Sequence, residues 1–366
     1  MINDWQDNLL LTAAVIALIS SFVSTKSAVL IKNILFCSLV FLGALGLKAG
    51  TISAPSRSVA DVQATIDSAQ NGDTVIVPAG DVPWSGGVTI SKSLTLIGSG
   101  VNITRASGFT GTLIAVGNLP SDVPVRVSGF SFDNGLVAIN GGSSTHWTKI
   151  RVDNCTFKWG SRPMAWIGWV AGVTDHCTFI NSIRSFYLLG NNNESWKHIP
   201  DAGSGDFVFA EDCTFRIDNN LGGSRTDLFA AYHEQGAGSV MRHCTFDGAA
   251  NTKSNDGFYD AHGSQNYWSG TSNDFRSTTV CEFYDNTIHL YNVYRCADLR
   301  GGSYLWCNNT YTIDASSPNI LDFREEEGSA SDKFNPLRTG SWPAEDQINN
   351  TYIWGNTVNT FASGFV

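Results

Sequence analysis

A short pattern that recurs along the chain constrains the fold more than any other feature of the sequence. In its commonest form it is a turn-forming residue, Cys or Asn, Thr and an apolar residue. The copies are GFSF (129–132), NCTF (154–157), HCTF (176–179), DCTF (212–215), HCTF (243–246), DNTI (285–288), NNTY (308–311) and GNTV (355–358). Intervals of 22 to 47 residues separate successive copies. The short intervals match one bare coil and the long ones a coil with an inserted loop, which predicts a solenoid.

The composition agrees with a β-rich solenoid and limits the partners. Of 366 residues, 36 are Gly and only 15% are charged, so the chain is poor in residues that favour long helices. The formal net charge is −10, and Lys and Arg do not cluster along the sequence. A chain without a basic patch lacks the electrostatic footprint of a nucleic-acid-binding protein. We therefore expect no nucleic-acid partner.

Residues 1–50 differ from the rest of the chain. One apolar run covers residues 9–24 and is short for spanning a hydrocarbon core of roughly 30 Å. A second run covers residues 34–47, after Lys32 and before small residues near Ala49, which is the layout of a secretory signal. We expect residues 1–50 to be a hydrophobic leader or signal peptide, with a two-pass membrane anchor as the alternative. Residues 51–366 would then be a secreted, extracellular or periplasmic domain without stable membrane association.

A short helix followed by strands is predicted directly after this leader. Ser58 and Asp61 resemble a capping box, and Val62 and Ile66 fall on one helical face. The sequence NGD (71–73) ends the helix, and TVIVPAG (74–80) reads as the next strand. A helix at this position would cover the unpaired edge of the first strands.

Four cysteines occupy the same position of the repeated pattern, and Asn takes this position in the later copies. Stacked at the rung spacing of roughly 4.8 Å, they would form an interior column of buried thiols. Disulfides between adjacent rungs are the alternative, because the Cα spacing allows them. Metal binding by these cysteines is not expected, since no Cys-x-x-Cys pair is present.

The helix, the GDTVIVPAG opening (72–80) and the repeated pattern between residues 58 and 366 resemble the right-handed parallel β-helix proteins of the pectate-lyase-like superfamily. The resemblance implies an all-β fold, a right-handed single-stranded parallel β-helix (solenoid) with an N-terminal capping helix. The superfamily includes pectate and alginate lyases, polygalacturonases and phage tailspikes, which implies an extended surface that grips a polysaccharide. No full catalytic motif of any one member family is present in this sequence.

The strands that precede three of the pattern copies place acids and bases two residues apart. These strands are YDAHG (259–263), ADLRG (297–301) and LDFRE (321–325). Because side chains alternate between the faces of a strand, the acid and the base of each strand should point outward together. In register, one outward column would hold Asp260, Asp298 and Asp322. The next column would hold His233, His262, Arg300 and Arg324.

Such columns suit either chemistry or structure. Carboxylates at rung spacing repel one another, so Asp260, Asp298 and Asp322 are candidate acid catalysts or a Ca²⁺ site. The alternative is a salt-bridge ladder in which each base neutralises an acid. Inserts bordering these strands favour function, and they contribute candidate substrate-binding residues. The candidates are Trp196, Tyr267, Trp268 and Arg276. Alternatively, such an aromatic residue pins its own loop and Arg276 is a solvated turn residue.

Three functions follow, in order of preference. In a lyase that cleaves a uronic-acid-containing glycan by β-elimination, His262 or His233 would be the base. Arg300, Arg324 or Ca²⁺ would neutralise the substrate carboxylate. In a glycoside hydrolase, two of the three aspartates would act as a catalytic pair. The third function is a non-catalytic glycan-binding adhesin or tailspike-like fibre. The expected partner is a polysaccharide, and the uncapped last coil is consistent with a homo-oligomer.

Overall fold

The computed structural model describes residues 49–142, 145–191, 193–217, 230–248, 257–263, 276–291, 295–314, 319–323 and 347–359. The segment predicted to be a signal peptide lies almost wholly outside the described residues, so that prediction stays untested. Within the described part of the chain, no helix combines the length and apolarity needed to cross a bilayer.

The described residues form short strands and two helices. The helices are α1 (Val59–Ser68) and α2 (Asn193–Lys197). The strands are β1 (Thr51–Ser53), β2 (Thr74–Ile76), β3 (Gly80–Trp84), β4 (Val88–Ile90), β5 (Leu94–Arg105), β6 (Ile114–Gly117), β7 (Val125–Asp133), β8 (Val137–Asn140), β9 (Trp147–Asp153), β10 (Thr156–Lys158), β11 (Met164–Ile167), β12 (Val170–Asp175), β13 (Thr178–Ile180), β14 (Phe186–Leu189), β15 (Val208–Glu211), β16 (Thr214–Ile217), β17 (Ala231–Glu234), β18 (Ser239–Arg242), β19 (Thr245–Gly248), β20 (Tyr259–Ala261), β21 (Val280–Tyr284), β22 (Thr287–Tyr291), β23 (Arg295–Leu299), β24 (Gly302–Cys307), β25 (Thr310–Asp314), β26 (Asn319–Phe323), β27 (Ile348–Trp354) and β28 (Thr357–Val358).

The strands pair in parallel along three lines, and each complete coil contributes one strand to each line. The first line runs β4-β6-β8-β11-β14-β17-β20-β23-β26 and is a separate nine-stranded sheet, hereafter the site sheet. The other two lines belong to one 19-stranded sheet and share the long strands β5 and β7. Parallel strands joined by crossovers take the right-handed sense in nearly all proteins. The predicted right-handed parallel β-helix is thus the fold of the chain.

The repeated pattern marks the turn that joins the two lines of the larger sheet. Its first residue adopts a positive φ, for example 53° at Asn154, 51° at Asp212 and 55° at His243. Asn, Asp and His are several-fold enriched in this left-handed conformation, which explains the residue types found there. The apolar fourth residue points into the core. There the rings of Phe157 and Phe179 stack 4.9 Å apart at 6°.

The column of the second pattern residue changes chemistry along the chain. Cys155, Cys177, Cys213 and Cys244 are buried and free, so the described cysteines of this column form no disulfide. Burial raises the pKa of the Cys177 and Cys244 thiols, which keeps them protonated. In the later coils, Asn286 donates to Asn309 Oδ1 at 3.0 Å, and Asn309 donates to Asn356 Oδ1 at 2.9 Å. The buried column therefore ends as an amide ladder.

Helix α1 covers the first coil, as predicted. Ser58 caps it by accepting the N–H of Asp61 at 3.2 Å, and Val62 and Ile66 pack into the core. Gln63 bonds the backbone of Thr89 on β4 through both amide atoms, donating at 3.2 Å and accepting at 2.7 Å. The free edge of the site sheet is thus occupied by a side chain that imitates a neighbouring strand.

The last described coil carries exposed aromatic residues. Tyr352 is 61% exposed and Trp354 is 49% exposed, both on β27. The prediction of a homo-oligomer concerns this last coil, and it stays untested.

Candidate functional site

The three aspartates occupy one column on the outward face of the site sheet. Asp260 pairs in register with Asp298, and Asp298 pairs with Asp322. Their strand neighbours, such as Tyr259 and Ala261, belong to the core on the opposite face. Asp260 and Asp298 are nonetheless only 3% and 1% exposed, whereas Asp322 is partly exposed. The outward face therefore contains a buried polar cluster at the coils of β20 and β23.

Arg300 holds the two buried carboxylates together. Its Nη2 donates to Asp260 Oδ1 at 2.7 Å and Oδ2 at 2.5 Å, and its Nε lies 3.3 Å from Asp298 Oδ2. A guanidinium that binds two carboxylates satisfies their lone pairs and offsets part of their charge. The salt-bridge arrangement considered from the sequence is thus realised at these three residues. Arg300 is already engaged by protein acids.

His262 lies beside this cluster and contacts an unexpected aromatic residue. Its Nε2 is 3.9 Å from Asp260 Oδ2, which is within ion-pair range. Its ring meets the ring of Tyr232 edge to face at 5.0 Å. The Tyr232 hydroxyl donates to Glu234 Oε2 at 2.9 Å. An imidazole, a phenol and a carboxylate from adjacent coils thus come together next to the Asp260–Arg300–Asp298 cluster.

The prediction that His233 shares the outward column with His262 is wrong. In the register of β17 and β20, Tyr232 pairs with Asp260 and His233 pairs with Ala261, so the assumed alignment is off by one residue. Such a slip moves a side chain to the other face. His233 is fully buried in the core, where its Nδ1 lies 3.1 Å from Ser239 Oγ and 3.2 Å from the Tyr259 hydroxyl. Glu234 follows Tyr232 on the outward face instead.

Two arginines form a second feature that the sequence reasoning missed. The guanidinium of Arg162 lies 4.4 Å above the ring of Tyr187, and that of Arg184 lies 4.5 Å above the ring of Tyr232. Both arginines have positive φ, 59° and 47°, and they directly follow the bridge between residues 161 and 183. Each arginine therefore covers the tyrosine of the next coil, and the two tyrosine rings stack 5.3 Å apart.

The environment of these tyrosines affects their ionisation. Burial raises the pKa of Tyr232 well above its usual value, and the charges of Glu234 and Asp260 raise it further. Burial and Glu234 also raise the pKa of Tyr187. Tyr232 is therefore a protonated phenol at every physiological pH and is unsuited to act as a resting base.

Of the predicted substrate-binding residues, Trp196 and Arg276 lie in the described part of the chain and contact each other. Trp196, at the end of helix α2, is 9% exposed and donates its indole N–H to the carbonyl of Ser277 at 3.1 Å. The guanidinium of Arg276 lies 4.4 Å above the Trp196 ring. These contacts match the alternative in which the aromatic residue fastens its own loop. Trp196 also lines a cavity with Pro200 and Tyr304, so its role in substrate binding stays a prediction. Arg324, Tyr267 and Trp268 lie outside the described residues.

The aspartate column does not fit a Ca²⁺ site in this arrangement. Ca²⁺ takes six to eight oxygen ligands. Both oxygens of Asp260 are bound to Arg300, and among the described residues no three His, Cys, Asp or Glu side chains gather in a way that could hold a metal ion. Calcium binding at Asp260, Asp298 and Asp322 therefore stays a prediction that this arrangement of side chains does not match.

The comparisons with known proteins concern the fold alone. Neither a family model nor a curated protein matches this sequence. Among solved structures, the chain is similar to an alginate lyase from Paenibacillus sp. str. FPU-7, with 13% identity, a TM-score of 0.33 and coverage of 85% of this chain and 99% of that chain. It is also similar to the Family 28 exopolygalacturonase of Yersinia enterocolitica, with 10% identity, a TM-score of 0.31 and coverage of 86% and 79%. The parallel strand pairing itself carries the conclusion that the chain is a parallel β-helix.

Proposed function

We propose that the chain is a secreted polysaccharide lyase that cleaves a uronic-acid-containing glycan by β-elimination on the outward face of the site sheet. The observation that carries the proposal is the contact of His262 with Tyr232 beside a bound Asp–Arg–Asp cluster. Strands of the site sheet continue on both sides of this cluster and present a linear surface. Such a surface suits an extended polymer better than a small molecule.

β-Elimination needs a base, a proton donor and a cation. The base removes the proton beside the substrate carboxylate, the donor protonates the leaving oxygen, and the cation stabilises the charge that develops on the carboxylate. We assign His262 as the base and Tyr232 as the donor, because an imidazole and a protonated phenol stand side by side. Asp260 would stabilise the imidazolium that forms when His262 accepts the proton.

The neutralising cation is assigned to the arginines over the tyrosines. Arg300 already binds Asp260 and Asp298, so its charge is shared with two protein carboxylates. Arg184 lies over Tyr232 and Arg162, one coil earlier, is exposed. A guanidinium presents a planar fork that matches a carboxylate. Arg184 therefore takes the role predicted for Arg300, and Arg162 extends the same charge along the polymer.

A glycoside hydrolase is the second candidate, favoured by the presence of Asp260 and Asp298 on neighbouring coils. A hydrolase needs two carboxyl groups on opposite sides of the scissile bond, about 5 Å apart in retaining enzymes and roughly 6.5–9.5 Å apart in inverting ones. Here both carboxylates converge on the same guanidinium instead of facing each other across an open space. The geometry therefore supports elimination better than hydrolysis.

One assay separates the candidate functions. The purified protein is incubated with uronate and neutral polysaccharides, with and without a chelator. Absorbance from an unsaturated product marks a lyase, new reducing ends without it mark a hydrolase, and retention without turnover marks a binder. A loss of activity with chelator would restore the calcium prediction.

Matched histidine variants test the site itself. His262→Asn should abolish turnover. His176→Asn should not, because His176 occupies a turn of the larger sheet where Asn serves in other coils. Full activity of His262→Asn would refute the assignment. N-terminal sequencing of protein recovered from the culture medium tests secretion and removal of the leader.

A further inference from the structure

A cavity separate from the proposed elimination face opens at the corner where the site sheet meets the larger sheet. It measures about 320 Å³, which is within the usual range of small-molecule sites. Strand ends from three successive coils form its base, including Gly168, Gly190 and Gly236. The insert that contains helix α2 forms its outer wall. None of the residues assigned to elimination lines it.

Three stacked rings hold one side of this cavity rigid. The indole of Trp169 lies between the imidazoles of His146 and His198, at centroid distances of 4.9 Å and 4.3 Å and with interplanar angles of 8° and 13°. His198 is fixed in turn by Glu194, whose Oε1 lies 3.5 Å from its Nε2. Each ring comes from a different coil, so the stack joins the insert to the body of the helix. This side of the cavity is therefore preorganised for ligand binding.

The polar groups of the cavity are suited to hydroxyls. Asp201 and Asp206 are exposed acceptors, and Ser195 and Ser204 supply hydroxyl groups that both donate and accept. Burial lowers the pKa of His146, so its imidazole is neutral at neutral pH and offers one donor and one acceptor. Among the described lining residues there is no Lys or Arg, and two carboxylates, those of Asp201 and Asp206, line the cavity beside the neutral His146. An anionic ligand would be repelled.

We propose that this cavity is a second glycan-binding site, which takes a sugar unit without negative charge, either a neutral hexose or an amino sugar. It differs in charge from the arginine-lined face where we place the uronate. Leu189 lines the cavity and pairs with Glu234 across the strands of the site sheet, so the two places are neighbours. If the proposed function holds, one chain of mixed composition would occupy both. The cavity itself does not depend on that function.

Ligand-observed NMR on the full chain tests the proposal with three probes, a methyl hexoside, a hexosamine and a hexuronate. The hexuronate should be at least ten-fold weaker than the methyl hexoside or the hexosamine in competing for the cavity, so that hexuronate bound at the arginine-lined face does not count. Tighter binding of the hexosamine would identify the protonated amine as the preferred partner of Asp201 and Asp206. Asp206→Ala should weaken the binding at least ten-fold.

Two further variants keep the result decisive. Trp169→Phe retains a ring between the two imidazoles and should retain binding, whereas Trp169→Ala should lose it. His262→Asn should bind the sugar as wild type does, so a failed elimination assay leaves this site standing. Failure of both the methyl hexoside and the hexosamine to bind, their displacement by the hexuronate at equal concentration, or unchanged affinity of Asp206→Ala would overturn the proposal.

Discussion

The guanidinium of Arg184 lies 4.5 Å above the ring of Tyr232, a tyrosine that belongs to the following coil. Arg162 and Tyr187 repeat the relationship one coil earlier at 4.4 Å. Each cation is thus fixed on an aromatic face, which reduces the conformational entropy lost when it meets a substrate carboxylate. The repetition aligns two positive charges along the axis of the β-helix.

Replacing these arginines should weaken the binding of acidic polymers selectively. Arg162→Ala and Arg184→Ala, each made in the His262→Asn background to prevent turnover, should bind a polyuronate roughly ten-fold more weakly, because each loses a charge-assisted contact. Affinity for a neutral polysaccharide should not change. Calorimetric titration at low and high salt measures both. Arg105→Ala, on the larger sheet, is the control, and an equal loss for neutral polymers would contradict the assignment.

Removing the Tyr232 hydroxyl should impair catalysis while the fold persists. Tyr232→Phe keeps the ring beneath Arg184 but loses the proton donor, so kcat should fall roughly 10²- to 10⁴-fold with little change in KM. Because burial raises the pKa of this phenol, its ionisation should not lower the wild-type rate below pH 10. Tyr187→Phe is the matched control. Equal kcat values for the two variants would remove Tyr232 from the mechanism.

The buried His233 should make the fold sensitive to acid without affecting catalysis. Burial lowers its pKa to about 3 from 6.5, so the folded protein holds this proton less tightly than the unfolded chain does. The stability contribution is complete above pH 6.5 and is lost progressively as the pH falls toward 3. At pH 5 the loss amounts to roughly 2 kcal/mol.

A leucine variant isolates this effect. His233→Leu places an apolar side chain in a column that already contains Leu188 and Leu299, and the facing Tyr259 stays neutral in this pH range. The free energy of unfolding of His233→Leu, measured with denaturant between pH 7.5 and 5, should depend less steeply on pH than that of wild type. Turnover at pH 7.5 should persist. A parallel pH dependence in both proteins would exclude His233 as its source.

Breaking the asparagine ladder should cost more than shortening the cysteine column. The buried Asn309 side chain donates to the Phe283 carbonyl and to Asn356, and it accepts from both the backbone and the side chain of Asn286. Asn309→Ala leaves several of these groups unsatisfied and should lower the free energy of unfolding by about 3 kcal/mol. Cys177→Ala, which loses only weak thiol hydrogen bonds, should cost about 1 kcal/mol. Chemical denaturation of both variants gives the comparison.

The fold was accessible from the sequence because one position of each coil repeats its chemistry. A left-handed turn restricts residue type, and the buried column beside it restricts size, so the pattern remains visible despite long inserts. The aspartate register could be read for the same reason, since Asp260, Asp298 and Asp322 stand in similar strands. The ion pairs of Arg300 with these aspartates were harder to predict, because they depend on distances in the folded structure that the sequence does not show.

The error at His233 has a physical origin. Strand β17 has no acid two residues before His233, so nothing in that strand marks the outward position. His233 was aligned with His262, but the true register of the two strands differs by one residue. The correct register could have been found by counting back from the cysteine of the repeated pattern. Ala165 lies 12 residues before Cys177, and Tyr232 lies 12 residues before Cys244. Arg162 and Arg184 also stand 22 residues apart, the interval between Cys155 and Cys177. The sandwich around Trp169 gives no such signal, since its rings come from loops of unequal length.

The contact between Gln63 and Thr89 closes the start of the site sheet to strand addition. An open parallel edge is a template on which further chains can stack into fibrils, and a solenoid has such an edge wherever its first coil is bare. The amide side chain of Gln63 on α1 therefore blocks the strand addition that would lead to aggregation at this edge. This role at the edge of the first coil is separate from the face where a glycan would bind.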